Sequence, residues 1–199
     1  MRLKPLRNLL LKGFLFLILG GILWAYLQPS YSQILVSASQ KLLSWTEREE
    51  KTSIRLQGNN IVYVPMGLPR GQRVQGMREV RDLHYNSVIF FALILFSPGL
   101  GLRKRTAALV AGLLLLFLTQ VITVLVKVKL FYALQLGEYS RIHYGPWERN
   151  IYAFLKQFFE LIGRFAFPFA IWMLFTYKET IGYLTATGPQ EEPRKNKDR

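Results

Sequence analysis

Residues 107–126 read AALVAGLLLLFLTQVITVLV, twenty positions without a single charge. An α-helix rising about 1.5 Å per residue needs about that length to cross a hydrocarbon core about 30 Å thick. Thirteen of these side chains are Leu, Val, Ile or Phe. Each favours insertion by about 0.3–0.6 kcal/mol, which outweighs the cost of Thr119, Gln120 and Thr123. A soluble domain drawn from a chain of 199 residues has no interior that needs such a segment. The stretch predicts an integral membrane protein, so the remaining sequence is read with lipid as its solvent.

Working outward, Arg103-Lys104-Arg105 precedes this span, and residues 86–102 form a shorter apolar stretch interrupted by Ser97, Pro98 and Gly99. Two spans joined by so short a basic turn predict an antiparallel helix pair. At the N-terminus, Arg2, Lys4 and Arg7 lead into an apolar run over residues 9–27, broken by Lys12, Gly13, Gly20 and Gly21. This resembles a secretory signal, but the run is long for one. Trp24, Tyr26 and Pro29 also stand where a cleavage site wants small residues. The reading is an uncleaved anchor. On the far side of the central span, Pro146 and Trp147 open a fourth apolar helix expected to reach Tyr177, with residues 152–177 as the span itself.

Four spans put both termini on one side. Arg2, Lys4, Arg7, Lys12, Arg103, Lys104, Arg105, Lys178 and the basic tail of residues 178–199 gather there, and the positive-inside rule makes that side cytoplasmic. The tail becomes polar and is expected to be disordered beyond Thr187. The expected architecture is an all-α integral membrane protein of the plasma (inner) membrane. It is a four-helix transmembrane bundle with a small extracytoplasmic α+β insert. The parts are a signal-anchor span (residues 1–28), the insert (29–85), a three-span region (86–177) with an outer loop at 127–151, and the tail.

Within the insert, Ile34, Leu35, Ala38, Leu42 and Trp45 share one helical face, which either lies flat on the outer membrane surface or packs on the rest of the insert. Residues 53–56 and 61–64 around Gly58-Asn59-Asn60 predict a β-hairpin. Pro65, Gly67, Pro69, Gly71 and Gly76 predict a loop, to which Arg70, Arg73, Arg78 and Arg81 give a positive face.

The net charge is +14. Its cations flank apolar segments, where they orient helices and meet lipid headgroups; no basic patch is interleaved with solvent-facing aromatics, so nucleic acid is not an expected partner. There is no cysteine, which removes disulfides, thiolate metal sites and thiol nucleophiles together.

The least ordinary feature of the fourth span is Lys156, Glu160 and Arg164, one charge every four residues and hence one stripe on one helix face. A charge deep in lipid costs about 2.5–3.5 kcal/mol on insertion scales, and an i,i+4 Glu–Arg pair relieves part of it. The stripe is expected to face the bundle or a partner protein. Its possible roles are a self-satisfied structural pair, a docking face, or an ion pathway. His84, Asn86, Ser87 and His143 fall at the outer boundary. His84 and His143 with Asp82 or Glu138 could be imagined around a metal, and Asp82, His84 and Ser87 carry triad residue types. Neither spacing is a signature, and no metal or other cofactor is expected. GxSxG, HExxH, Walker and dinucleotide motifs are absent.

Residues 86–175 resemble the later part of the exosortase/archaeosortase membrane family. The likeness lies in the order of parts: a polar start to a span, the basic turn Leu102-Arg103-Lys104-Arg105, a Leu-rich span ending in Leu118-Thr119-Gln120-Val121-Ile122-Thr123, an outer loop and a final span. The resemblance implies transpeptidase enzymes with a Cys, an Arg and a His near the outer face. This chain departs at each place, with Asn86 and Ser87 where the Cys would open the span and Gln120 and Thr123 where Asn and Arg would close the next. The final span holds no His. Cys-dependent acyl transfer is excluded. The likeness therefore implies a non-enzymatic companion of such a sorting transpeptidase, partnered by lipid and another membrane protein. The alternatives are a membrane hydrolase or transferase using Ser87, His84 or His143, or a small transporter subunit.

Overall fold

The computed structural model describes residues 3–47, 51–66, 76–79, 81–97 and 99–186. In chain order these form α1 (Leu3–Thr46), strands β1 (Thr52–Gln57), β2 (Asn60–Pro65) and β3 (Gly76–Glu79), then α2 (Arg81–Phe96), α3 (Leu102–Gln135), α4 (Glu138–His143) and α5 (Pro146–Gln157). A π-helical turn (Phe158–Ile162) joins α5 to α6 (Gly163–Ala186). The protein is mostly helical. Leu102–Gln135 and the continuous run Pro146–Glu179 are long and apolar enough to cross a membrane, and Leu83–Phe96 is a shorter apolar helix.

The expected anchor and amphipathic helix are one rod. α1 runs through Pro29 without a break, although proline there removes one backbone hydrogen bond and crowds the preceding turn. What holds the rod together is the packing of its second half. Leu35, Val36 and Leu43 are buried in one core with Val124, Val128, Phe131 and Tyr132 of α3 and Ile54, Ile61 and Tyr63 of the sheet. The face buried is therefore 35–36–39–43, whereas Ile34 and Trp45 point outward. Of the two readings of this helix, packing on the insert is the one observed.

α3 likewise outruns its expected end at residue 126 and continues nine residues to Gln135. The segment expected as an outer loop, 127–151, is largely helical because Val128, Phe131, Tyr132 and Ala133 have this same core to enter. The turn after α3 is fixed by Ser140, whose hydroxyl donates to the Tyr132 carbonyl at 2.6 Å and accepts from the Leu136 N–H at 3.0 Å. α5 starts at Pro146, and Glu148 reaches back to accept from the Gly145 N–H at 2.9 Å, closing the start of the helix as a capping carboxylate does.

The sheet is antiparallel in the order β1-β2-β3. The expected hairpin is present with a two-residue Gly58-Asn59 loop, Asn60 already pairing with Gln57. Gly58 takes φ +59° at the first loop position, a conformation open to glycine. The third strand is a correction, since residues around Gly76 read as loop. Its pairing Tyr63↔Gly76 and Asn60↔Glu79 converts part of that loop to sheet. Arg70 and Arg73 lie outside the described residues, as do the side chains of Arg78 and Arg81 and the tail beyond Ala186, so the expected positive face and disordered tail do too. Helix continues past Tyr177 to Ala186.

The sheet is anchored at the start of β1. Gln40 of α1 donates its amide to the Thr52 carbonyl at 2.9 Å and accepts from the Ile54 N–H at 2.6 Å. Its side chain so imitates a neighbouring strand. The Thr52 hydroxyl donates to Glu47 and lies 2.8 Å from the Tyr132 hydroxyl.

α2 and α3 pair antiparallel. Asn86 and Ser87 face Gln120, Phe90 faces Gly112, and Ser97 faces Arg105, an ordered sequence of contacts running in opposite chain directions. Arg103-Lys104-Arg105 is thus the first turn of α3 and not the connecting loop.

Candidate functional site

Gln120 sits 1 % exposed at the centre of the helix bundle. Its Nε2 donates to the Leu83 carbonyl at 2.9 Å, to Asn86 Oδ1 at 2.8 Å and to Ser87 Oγ at 3.1 Å, while its Oε1 accepts from the Tyr31 hydroxyl at 2.8 Å. One amide thereby ties α1, α2 and α3. A buried amide pays a heavy desolvation cost unless its donors and acceptor are used, and here they are.

Beside this knot lies a cleft lined by Asn86, Thr119, Gln120, Thr123, Glu160, Arg164 and Phe167. Gln120, Thr123 and Lys127 fall at i, i+3 and i+7, one face of α3. Across from them the π-turn carries Glu160. Lys127, its side chain only 9 % exposed, donates from its ammonium to Glu160 Oε1, and Lys156 Nζ stands 3.8 Å from Glu160 Oε2. Arg164 lies over the Tyr85 ring, its guanidinium carbon 5.6 Å from the centroid. The Thr119 and Thr123 hydroxyls donate back to the Leu116 and Thr119 carbonyls at 2.7 Å each.

The sequence reading brought Lys156, Glu160 and Arg164 together and the structure places Glu160 and Arg164 in one cleft, but it missed Lys127, assigned there to an outer loop. The signal was available: Lys127 is the first charge after the uncharged run, in phase with Gln120 and Thr123. The π-turn was not legible. It adds slack where Gly163 packs on Phe167, whose ring atoms would stand 3.1 Å from a Cβ at that position, and such turns recur at functional sites.

The four outer-boundary candidates have separate surroundings. Asn86 and Ser87 serve the Gln120 amide. His84 is 3 % exposed between the rings of Trp24 and Tyr31, with centroids 5.4 and 5.2 Å away, and neither of its ring nitrogens has a hydrogen-bond partner. His143 is exposed and stacks on Tyr139 at 4.1 Å, its Nδ1 lying 3.0 Å from the Tyr139 carbonyl. The imidazole nearest Ser87 in sequence is thus not hydrogen-bonded to it, as a nucleophile–base pair requires. Among the described residues no three His, Cys, Asp or Glu gather as a metal would need.

At the other end of the bundle Ser97 is a second junction. Its hydroxyl accepts from Trp172 Nε1 at 2.6 Å and its carbonyl accepts from the Arg105 guanidinium at 2.9 Å. Lys104 and Glu179 pair at 2.8 Å beside it. About 22 Å of helix separates Arg105 from Gln120, and about 33 Å separates it from Lys127, at 1.5 Å per residue.

No curated protein and no solved structure matches this chain. A family model described as Exosortase H-associated membrane protein matches residues 3–179, which takes in α1, the sheet, the Gln120 knot and the Glu160 cleft. The chain belongs to the family of exosortase H-associated membrane proteins.

Proposed function

We propose that this protein is a non-enzymatic companion of exosortase H, held in the plasma membrane by four spans with both termini in the cytoplasm. The observation that carries the reading is the family match over residues 3–179. The exposed apolar side chains of α1, among them Leu11, Phe14, Leu15, Ile18 and Ile22, suit a lipid-facing span and support the fourth crossing. The basic ends of α1, α3 and α6 support the orientation. The upper halves of α1 and α3, with the sheet, then form a head above the outer leaflet, and the partner is met through this head and the Glu160–Arg164 face. The engagement of Ser87 with the Gln120 amide and the apolar setting of His84 favour this over a hydrolase or transferase.

The test is co-expression of the tagged protein with exosortase H, followed by purification in mild detergent. The enzyme is expected to co-purify, and to do so equally with a His84→Ala/Ser87→Ala/His143→Ala variant. Recovery of a lone protein in every detergent overturns the companion reading. Normal association with lost sorting in the triple variant favours an enzyme.

A further inference from the structure

We infer that the cavity between α1 and the tip of the β1–β2 hairpin binds an extended, uncharged stretch of another polypeptide through its main chain. The cavity measures about 270 Å³ and is lined by Ala25, Gln28, Pro29 and Ser32 of α1 and by Leu56 and Asn59 of the hairpin. A void of about 150 Å³ already holds a benzene ring. From Ala25 to Ser32 the helix axis advances about 10 Å, the length of about three residues of strand at about 3.3 Å each.

Both walls offer hydrogen bonds to a main chain. Antiparallel pairing turns alternate residues of an edge strand away from their neighbour. Gln40 meets Thr52 and Ile54 on the outer edge of β1. The next residue of that parity, Leu56, points its N–H and C=O the same way, toward the cavity it lines. Gln40 thus imitates a strand beside the first half of β1, and a bound peptide continues that strand beside the second. On the helix side, Pro29 has no N–H, which deprives the Ala25 carbonyl of its i+4 donor and leaves it able to accept from a peptide N–H. The side-chain amides of Gln28 and Asn59 each bring a donor and an acceptor.

None of the described lining residues is charged. An ion buried without a counter-charge costs far more than an amide whose hydrogen bonds are met, so the lining suits a neutral main chain. Addition of a strand at an open edge is a general mode of peptide recognition, with main-chain bonds supplying the affinity. The cavity lies where α1 leaves its apolar run over residues 9–27, the outer border of the membrane in the orientation proposed above. The compartment of the peptide rests on that orientation. The edge contact does not, and neither requires exosortase H.

The experiment selects a displayed random heptapeptide library on the full chain in detergent and measures the enriched peptides, synthesised with capped ends, by fluorescence anisotropy. Uncharged peptides are expected to be enriched. Ala25→Leu fills the cavity from the helix side and is expected to weaken them about tenfold. Pro29→Ala returns a helical donor to the Ala25 carbonyl and is expected to weaken binding about fivefold, the scale of one net hydrogen bond. The same variant removes a residue unfavourable inside a helix and should melt higher than wild type, a combination that misfolding does not produce. N-methylation of the central peptide amides is expected to abolish binding. No enrichment over the Ala25→Leu protein, unchanged binding to Pro29→Ala, or full binding of the N-methylated peptide each overturns the inference. Displacement of the peptide by millimolar maltotriose identifies a carbohydrate site and overturns it too. Failure of exosortase H to co-purify bears on the companion reading alone.

Discussion

The Lys127 ammonium on α3 is paired with the Glu160 carboxylate on the π-turn, so the two helices that are long and apolar enough to cross a membrane are joined by an ion pair at the rim of a polar cleft. An ion pair removed from water is weak evidence of net stability, because desolvation offsets most of the attraction. Losing one partner is costly, since the other charge is left buried alone.

A double-mutant cycle separates these terms. Lys127→Met and Glu160→Gln are each expected to destabilise the protein, and the double variant to lose less than the sum. The coupling is expected at about 1–3 kcal/mol, the range of contacting buried pairs. Unfolding in detergent with a graded denaturant measures it. Strict additivity shows that the pair contributes no coupling to the fold.

Gly112 should tolerate no side chain while Phe90 stands opposite. A Cβ built there lies 2.0 Å from Phe90 Cζ and 2.6 Å from Cε1, and the ring is fully buried. Gly112→Ala is expected to cost about 1–3 kcal/mol by overpacking. Because the obstacle is one ring, Gly112→Ala/Phe90→Leu should recover most of the loss. A midpoint for the double variant no higher than for Gly112→Ala would place the constraint elsewhere.

Replacing Gln120 by Leu keeps the volume and removes every polar partner at once. Asn86, Ser87 and the Tyr31 hydroxyl then lose the group that satisfies them, and buried orphans cost about 1–3 kcal/mol each. The melting temperature should fall by several degrees. Gln120→Glu keeps the acceptor for Tyr31 but replaces the donating NH₂, so it should fall further than Gln120→Leu if the donor carries the knot. Equal midpoints for Gln120→Leu and wild type would reduce this network to ornament.

What the sequence made legible follows from the strength of each local signal. The uncharged run around Leu113–Leu116, the hairpin about Gly58 and the Pro146 helix start rest on composition and turn chemistry, which are local. The continuity of α1 through Pro29 and of α3 past Val126 was hidden because both depend on a shared core between residues such as Leu43, Ile61 and Phe131, distant in sequence. In the cleft, Glu160 and Arg164 declared themselves by charge in an apolar helix. Lys127 gave only its phase with Gln120 and Thr123, and Tyr31 of the neighbouring knot gave nothing, because its partner Gln120 lies on another helix. β3 carries no strand signal of its own and forms because β2 offers an edge.

That edge logic yields a last prediction at the opposite side of the sheet. An edge strand exposes a row of unpaired backbone groups, and on β1 the Gln40 amide occupies two of them, the Thr52 carbonyl and the Ile54 N–H. Gln40→Ala leaves both without that partner while leaving the helix backbone of α1 undisturbed. Amide hydrogen exchange is the direct readout, since protection reports local opening. The Ile54 amide is expected to exchange at least tenfold faster, which corresponds to about 1.4 kcal/mol of lost local stability, within the range for an orphaned hydrogen bond. The β1–β2 ladder amides, paired on the other side, should change far less. Uniform acceleration across the sheet would instead mean that Gln40 holds the whole head onto α1, and an unchanged Ile54 amide would mean that the helix, and not this side chain, covers the edge.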